Sequence, residues 1–238
     1  MIDILKRRIL PTLIFILLVV GMAFFPYIPM YLFKIQYENF SMTLKTFYMF
    51  LCDIGYMLIL FLIYKNKIIK DFKEYIKDFW KNLEYSFKHY FIGLIIMITS
   101  NLIITIFLKD AVAGNEEAVR EMIDSVPLYM IFSVSLYAPF VEEIIFRHSI
   151  KDIFKSEKRN KLISSIYIFL SGFIFAGMHL LGQTTSILDY VFIIPYMSLG
   201  IVFALLYNKT NNIFSSISMH CLHNTFTVIL YFIAGGAI

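Results

Sequence analysis

Residues 127–148 read PLYMIFSVSLYAPFVEEIIFRH. Nothing is charged as far as Val141, and then Glu142, Glu143 and Arg147 arrive almost together. The run is long enough for a spanning helix, which needs about 20 mostly apolar residues. Working outward, six more segments have the same character, at 9–31, 44–64, 90–108, 162–181, 189–207 and 213–236. The segment 44–64 is the least clean, because Lys45 and Asp53 interrupt it. Composition agrees: 59% hydrophobic and 16% charged residues, with mean hydropathy +0.74. Soluble proteins have about 45–50% apolar and about 25% charged residues. A soluble core of this length cannot hide so much apolar surface, so the lipid bilayer is the solvent for most of it. The expected fold is all-α: a polytopic membrane helical bundle of about seven transmembrane helices, one integral membrane domain over residues 1–238.

The same numbers exclude other classes. The net charge of +4 is small and is accounted for by basic loops, so no nucleic-acid partner is implied. Cys52 and Cys221 both lie in apolar runs, which rules out a disulfide framework or a four-thiolate metal site. There is no His-Glu-x-x-His zinc signature, no Gly-rich phosphate loop and no Gly-x-Ser-x-Gly turn, and no organic cofactor is implied.

Lysine and arginine accumulate in cytoplasmic loops. Lys6, Arg7 and Arg8 precede the first apolar segment. Lys65, Lys67, Lys70, Lys73, Lys77, Lys81 and Lys88 follow the second, and Lys151, Lys155, Lys158, Arg159 and Lys161 follow the fourth. Alternate connections are neutral or acidic, with Glu116, Glu117, Glu121 and Asp124. An odd number of spans puts the basic stretches on one side, the amino terminus inside and the carboxyl terminus outside. The first segment is too long for a signal peptide and lacks a small-residue cleavage site, so it reads as an uncleaved helix. Within 65–89, Phe72, Ile76, Phe79, Trp80, Leu83 and Phe87 recur at helical spacing among lysines, which predicts a cytoplasmic amphipathic helix on the inner leaflet. The richness in Ile, Lys, Phe, Tyr and Asn resembles an AT-biased bacterial genome, and so points to a bacterial plasma membrane.

An ionisable residue inside a span costs about 2.5–3.5 kcal/mol on insertion scales and is a functional candidate by default. Glu143 and Arg147 stand at i and i+4 with the acid first, the favourable order for an ion pair. Glu142 sits outside that pair, a carboxylate suited to acid–base work; the alternative places all three charges at a stop-transfer boundary. In Phe175-Ala176-Gly177-Met178-His179, the small residues Gly172, Ala176 and Gly177 allow another helix to approach closely. A lone histidine there is as readily a hydrogen-bonded core residue. In His220-Cys221-Leu222-His223-Asn224, His220 and Asn224 share a helix face and supply donors for a developing oxyanion, or ligands for a metal. His223 points about 60° away from that face.

Together these motifs resemble the CAAX-protease and bacteriocin-processing (CPBP) family, the intramembrane proteases that include the Rce1-type prenyl-protein endopeptidases. Members carry Glu-Glu-x-x-x-Arg, Phe-x-x-x-His and His-x-x-x-Asn, here residues 142–147, Phe175 to His179 and His220 to Asn224. The likeness covers about 127–230, the catalytic core it implies. It implies an intramembrane endopeptidase acting on a membrane-associated peptide or protein precursor. Carried over, Glu142 and His179 activate a water, His220 and Asn224 hold the oxyanion, and Glu143, Arg147 and Phe175 support them. The family's metalloprotease label leaves room for one divalent ion such as zinc on Glu142, His179 and His220. A Glu–His pair acting on water unaided stays equally open. Family members are also described as bacteriocin-immunity proteins, a non-enzymatic alternative. A proton-coupled carrier would show inverted-repeat halves, which this sequence lacks. One tension is visible: Glu142 lies near the cytoplasmic end of its helix and His179 far from that of its own. They meet if the fifth helix projects past the lipid surface, or if the fourth breaks near Pro139.

Overall fold

A computed structural model describes residues 8–109, 112–154 and 160–236, and among them every regular element is helical. The first apolar run divides into α1, Leu10–Phe24, and α2, Tyr27–Leu32. Pro26 and Pro29 explain the division, since each lacks the N–H that would bond back one turn. The Tyr48 hydroxyl donates to the Pro26 carbonyl and pins the corner. α3, Met42–Lys77, begins at Ser41, whose hydroxyl accepts the Leu44 N–H. α4 is Phe79–Leu108, and α5 is the short Gly114–Ser125. α6, Pro127–Ile153, carries the stretch quoted first, and α7 is Lys161–Leu180. α8, Ile187–Thr210, and α9, Ile213–Ile233, complete the described chain.

Six of these helices, α3, α4 and α6 to α9, are long and apolar enough to cross a membrane. The protein is a multi-pass membrane protein. Sequence reading gave about seven spans; the difference is the first run, where α1 alone is 15 residues long.

The stretch 65–89 differs from its expectation as well. It is not a separate helix but the joined ends of α3 and α4, which meet at Asp78. α3 bends at Tyr64 (φ −111°, ψ 18°) and continues. Its inner face is held by protein, with Ile68, Asp71 and Tyr75 buried. Asp71 accepts the Ile213 N–H at 2.8 Å and so caps the start of α9, while Asn212 donates to the Asp71 carbonyl. The apolar stripe read from the sequence (Phe72, Ile76, Phe79, Trp80, Phe87) stays on the outer surface.

The basic helix ends converge. Lys67 donates to the Asn211 carbonyl at 2.6 Å, Lys151 reaches the Asn211 side chain at 3.2 Å, and Lys209 lies 3.1 Å from His89. Lys6, Arg7, Lys155, Lys158 and Arg159 lie outside the described residues. α8 packs along α7, α4 and α9. The α7–α8 contact is close because Gly172 meets Gly200; a Cβ on Gly172 would stand 2.7 Å from Ile201 Cγ1. Of the other small residues read as an approach face, Ala176 is buried but Gly177 has nothing within 4 Å of an added Cβ.

Candidate active site

The helix that supplies Glu142 is not regular. Ser133–Tyr137 and Glu143–Ser149 are wide π turns, a form frequent at functional sites. The first has a local cause and a consequence. The Ala138 N–H bonds to the Ser133 carbonyl, and Pro139 has no N–H, so the Val134 carbonyl is left without its helical donor. The Asn224 amide of α9 fills that place at 2.9 Å. One of its two N–H groups is thereby used, and the other remains.

Downstream, Glu143 and Arg147 form the predicted pair, both fully buried. Arg147 Nε and Nη2 each donate to a Glu143 carboxylate oxygen at 3.0 Å. Arg147 Nη1 donates to Ser171 Oγ at 3.2 Å, and its guanidinium lies 4.4 Å from the centre of the Phe175 ring. A buried charge is tolerable only when paired and hydrogen-bonded like this. The same carboxylate does a second job that spacing did not reveal. Glu143 Oε1 accepts His220 Nδ1 at 3.0 Å. Since Glu143 is ionised by its pairing with Arg147 and can only accept, His220 carries its hydrogen on Nδ1, and Nε2 faces Glu142 Oε2 at 3.7 Å. Phe203 stacks on the ring at 4.9 Å and Phe175 meets it edge-on.

His179 is oriented by its own helix. Its Nδ1 lies 2.9 Å from the Phe175 carbonyl, and a carbonyl only accepts, so in the neutral ring Nε2 holds the lone pair. Tyr196 stacks on the ring at 4.6 Å. Glu142, His179, His220 and Asn224 all line one cavity of about 330 Å³, together with Phe175 and Tyr196. No hydrogen bond joins Glu142 to His179 among the described residues; they meet through the cavity.

The depth tension resolves without a break at Pro139. α6 runs on to Ile153, so Glu142 sits deeper than a helix ending at 148 would place it. Ser171 bonds to the Phe146 carbonyl at 2.7 Å, which fixes the stagger of α6 against α7. From that level Glu142 is four residues up one helix and His179 eight up the other, a difference of about 6 Å. Side chains lean toward their helix N-terminus, so in these antiparallel helices Glu142 and His179 lean toward each other.

Sequence reasoning passed over several groups. His223, about 60° around α9 from the His220–Asn224 face, lines the same cavity and lies 3.0 Å from the Tyr90 hydroxyl. Asp53 is buried and accepts from Tyr129 at 3.0 Å and Ser133 at 3.4 Å, both on α6. Its signal was present, a carboxylate inside an apolar span, but nothing in the sequence tied it to α6. A second, wider cavity of about 1060 Å³ is walled by α1, the 35–39 loop, Asp53, Tyr129 and Tyr137. Glu142 borders both cavities.

The fit to a metal ion can be tested on these contacts. Zinc takes ligands at about 2.0–2.2 Å, three of them from protein in a catalytic site. Among the described residues no three His, Cys, Asp or Glu side chains converge, and both Glu143 oxygens are held by Arg147. In this arrangement Glu142, His179 and His220 do not fit a bound zinc.

Residues 124–226 match the family model described as Type II CAAX prenyl endopeptidase Rce1-like. Over this stretch, which carries all three motifs, the chain is similar to the CAAX-protease family. Among curated proteins it is similar to the putative membrane peptidase YdiL of Bacillus subtilis (strain 168), 36% identical over 118 residues. That match covers 49% of this chain and 42% of the relative. The membrane-embedded CAAX protease MroQ of Staphylococcus aureus (strain USA300) is 31% identical over 135 residues, covering 56% and 51%. The UPF0177 protein YvdC of Lactococcus lactis (strain IL1403) is 25% identical over 137 residues, covering 57% and 48%. The chain thus spans about half the length of the curated relatives it matches. No solved structure matches it. The CAAX-protease match contains Glu142, Glu143, Arg147, His179, His220 and Asn224, and it excludes Asp53 and Tyr90.

Proposed function

We propose that this chain is an intramembrane endopeptidase that hydrolyses peptide bonds of a membrane-associated peptide or protein precursor. The observation that carries this reading is the shared cavity, where an unpaired-in-helix carboxylate, two ring nitrogens and an amide N–H face one space. Glu142 takes a proton from a water held between it and His179 Nε2, and the oxygen attacks the scissile carbonyl. The second Asn224 N–H, and His220 Nε2 when it carries a proton, donate to the oxyanion that forms. Glu142 then returns its proton to the leaving amine, so one water is consumed and the base is restored. Glu143 and Arg147 hold His220 without touching substrate. The positive-inside rule, applied to the converging basic ends, puts that end in the cytoplasm of a bacterial plasma membrane and the amino terminus with it.

The test is cleavage of membrane-associated peptides by the purified protein in proteoliposomes. Loss of a positioned general base costs about 10²–10⁴-fold, so Glu142→Gln is expected to lose that much in kcat. If Glu142→Gln cleaves at the wild-type rate, or preserves a cellular phenotype in full, hydrolysis through Glu142 is not what the protein does.

A further inference from the structure

The first half of the chain, outside the family match, contributes a buried acid to the site helix. Asp53 is only 4% exposed, in the apolar first half of α3, and a carboxylate at such a position is costly unless it serves a purpose. Both of its hydrogen-bond donors, Tyr129 and Ser133, are α6 residues one turn apart. Ser133 opens the wide turn Ser133–Tyr137, and its carbonyl takes the Ala138 N–H that a regular helix would give to Val134. That displacement frees the Val134 carbonyl for Asn224, and five residues beyond Tyr137 the chain reaches Glu142. Three helices are thus fastened at one irregular turn: α3 through Asp53, α9 through Asn224, and α6, which presents the base. Asp53 also lines the wider cavity that ends at Glu142.

We infer that Asp53 is a positioning residue for the proposed hydrolysis, holding the wide turn of α6 in the register that sets Glu142 and Asn224. It acts through the hydroxyls of Tyr129 and Ser133 and takes no proton from substrate. The inference rests on the reading of Glu142 and Asn224 as site residues. Asp53→Asn keeps a side-chain oxygen that accepts both hydroxyls, whereas Asp53→Ala keeps none.

The experiment compares these variants in proteoliposomes, with kcat and KM measured per folded molecule. Misplacement by about an ångström costs up to about 100-fold, so Asp53→Ala is expected to lose about 10- to 100-fold in kcat with KM little changed. Asp53→Asn is expected to stay within about threefold of wild type, since its side-chain oxygen still accepts both hydroxyls. Adding Tyr129→Phe and Ser133→Ala to Asp53→Ala is expected to cost nothing further. A second readout needs no substrate: hydrogen exchange of the Asn224 side-chain amide, which rises in Asp53→Ala once the turn relaxes. Asp53→Asn falling as far as Asp53→Ala overturns the inference, because charge and not hydrogen bonding is then what matters. Unchanged kcat in Asp53→Ala, or unchanged Asn224 exchange, overturns it too. If wild type cleaves nothing, the proposed function fails, and the Asn224 exchange still decides whether Asp53 holds the turn.

Discussion

Replacing Arg147 by methionine removes one half of the most deeply buried contact set in the site helix. The guanidinium gives two donors to Glu143 at 3.0 Å and one to Ser171 at 3.2 Å, and it lies over Phe175. Methionine fills much of the volume but leaves the Glu143 carboxylate at 0% exposure, with the His220 ring as its one other hydrogen-bond partner among the described residues. Breaking a buried pair by removing one partner costs about 3–5 kcal/mol, about 10²–10⁴ in the folding equilibrium. Glu143→Gln strands Arg147 in the same way and is expected to cost a similar amount. The double variant Glu143→Gln/Arg147→Met strands no charge, and replacing a whole buried pair is often close to neutral. It is expected to lie within about 2 kcal/mol of wild type and to be more stable than either single variant. Unfolding in mixed micelles, followed by circular dichroism, measures all four corners of the cycle. Additive losses, with the double variant less stable than both singles, would refute the reasoning that each charge is held by the other.

Two further outcomes follow from the same contacts. Gly172→Ala forces a Cβ within 2.7 Å of Ile201 and is expected to cost about 1–3 kcal/mol, whereas Gly177→Ala meets nothing and gains up to about 1 kcal/mol; thermal unfolding of the pair checks both. With no three ligands converging among the described residues, peptide cleavage is expected to persist after exhaustive chelation verified by metal analysis, and loss restored by added zinc would show that the site rearranges to bind it.

The sequence disclosed the helices and the Glu143–Arg147 pair for one reason: both are local. Hydropathy over about 20 residues and an i, i+4 spacing need no knowledge of the fold. The bond from Glu143 to His220 joins residues 77 apart in sequence, and no spacing rule reaches that far. The wide turns of α6 were hidden because apolar composition does not distinguish a four-residue from a five-residue hydrogen-bond step. The corner at Pro26 is legible in principle, since two prolines three residues apart remove two helical donors within one turn. It was masked by the unbroken apolar character of 9–31. The 65–89 stretch shows the reverse error. Its apolar stripe faces outward except for Leu83, which packs against the cluster around Tyr90 and Phe203, and Asp71 and Tyr75 on the other face carry the contacts that fasten it to α9.

Glu142 stands where two separate spaces meet, and this bears on how the protein could be inhibited. A small molecule lodged among Tyr129, Tyr137 and the 35–39 loop would reach the proposed base without entering the space that His179, His220 and Asn224 enclose. Most of the walls of that wider space come from residues 22–53, which lie outside the family match.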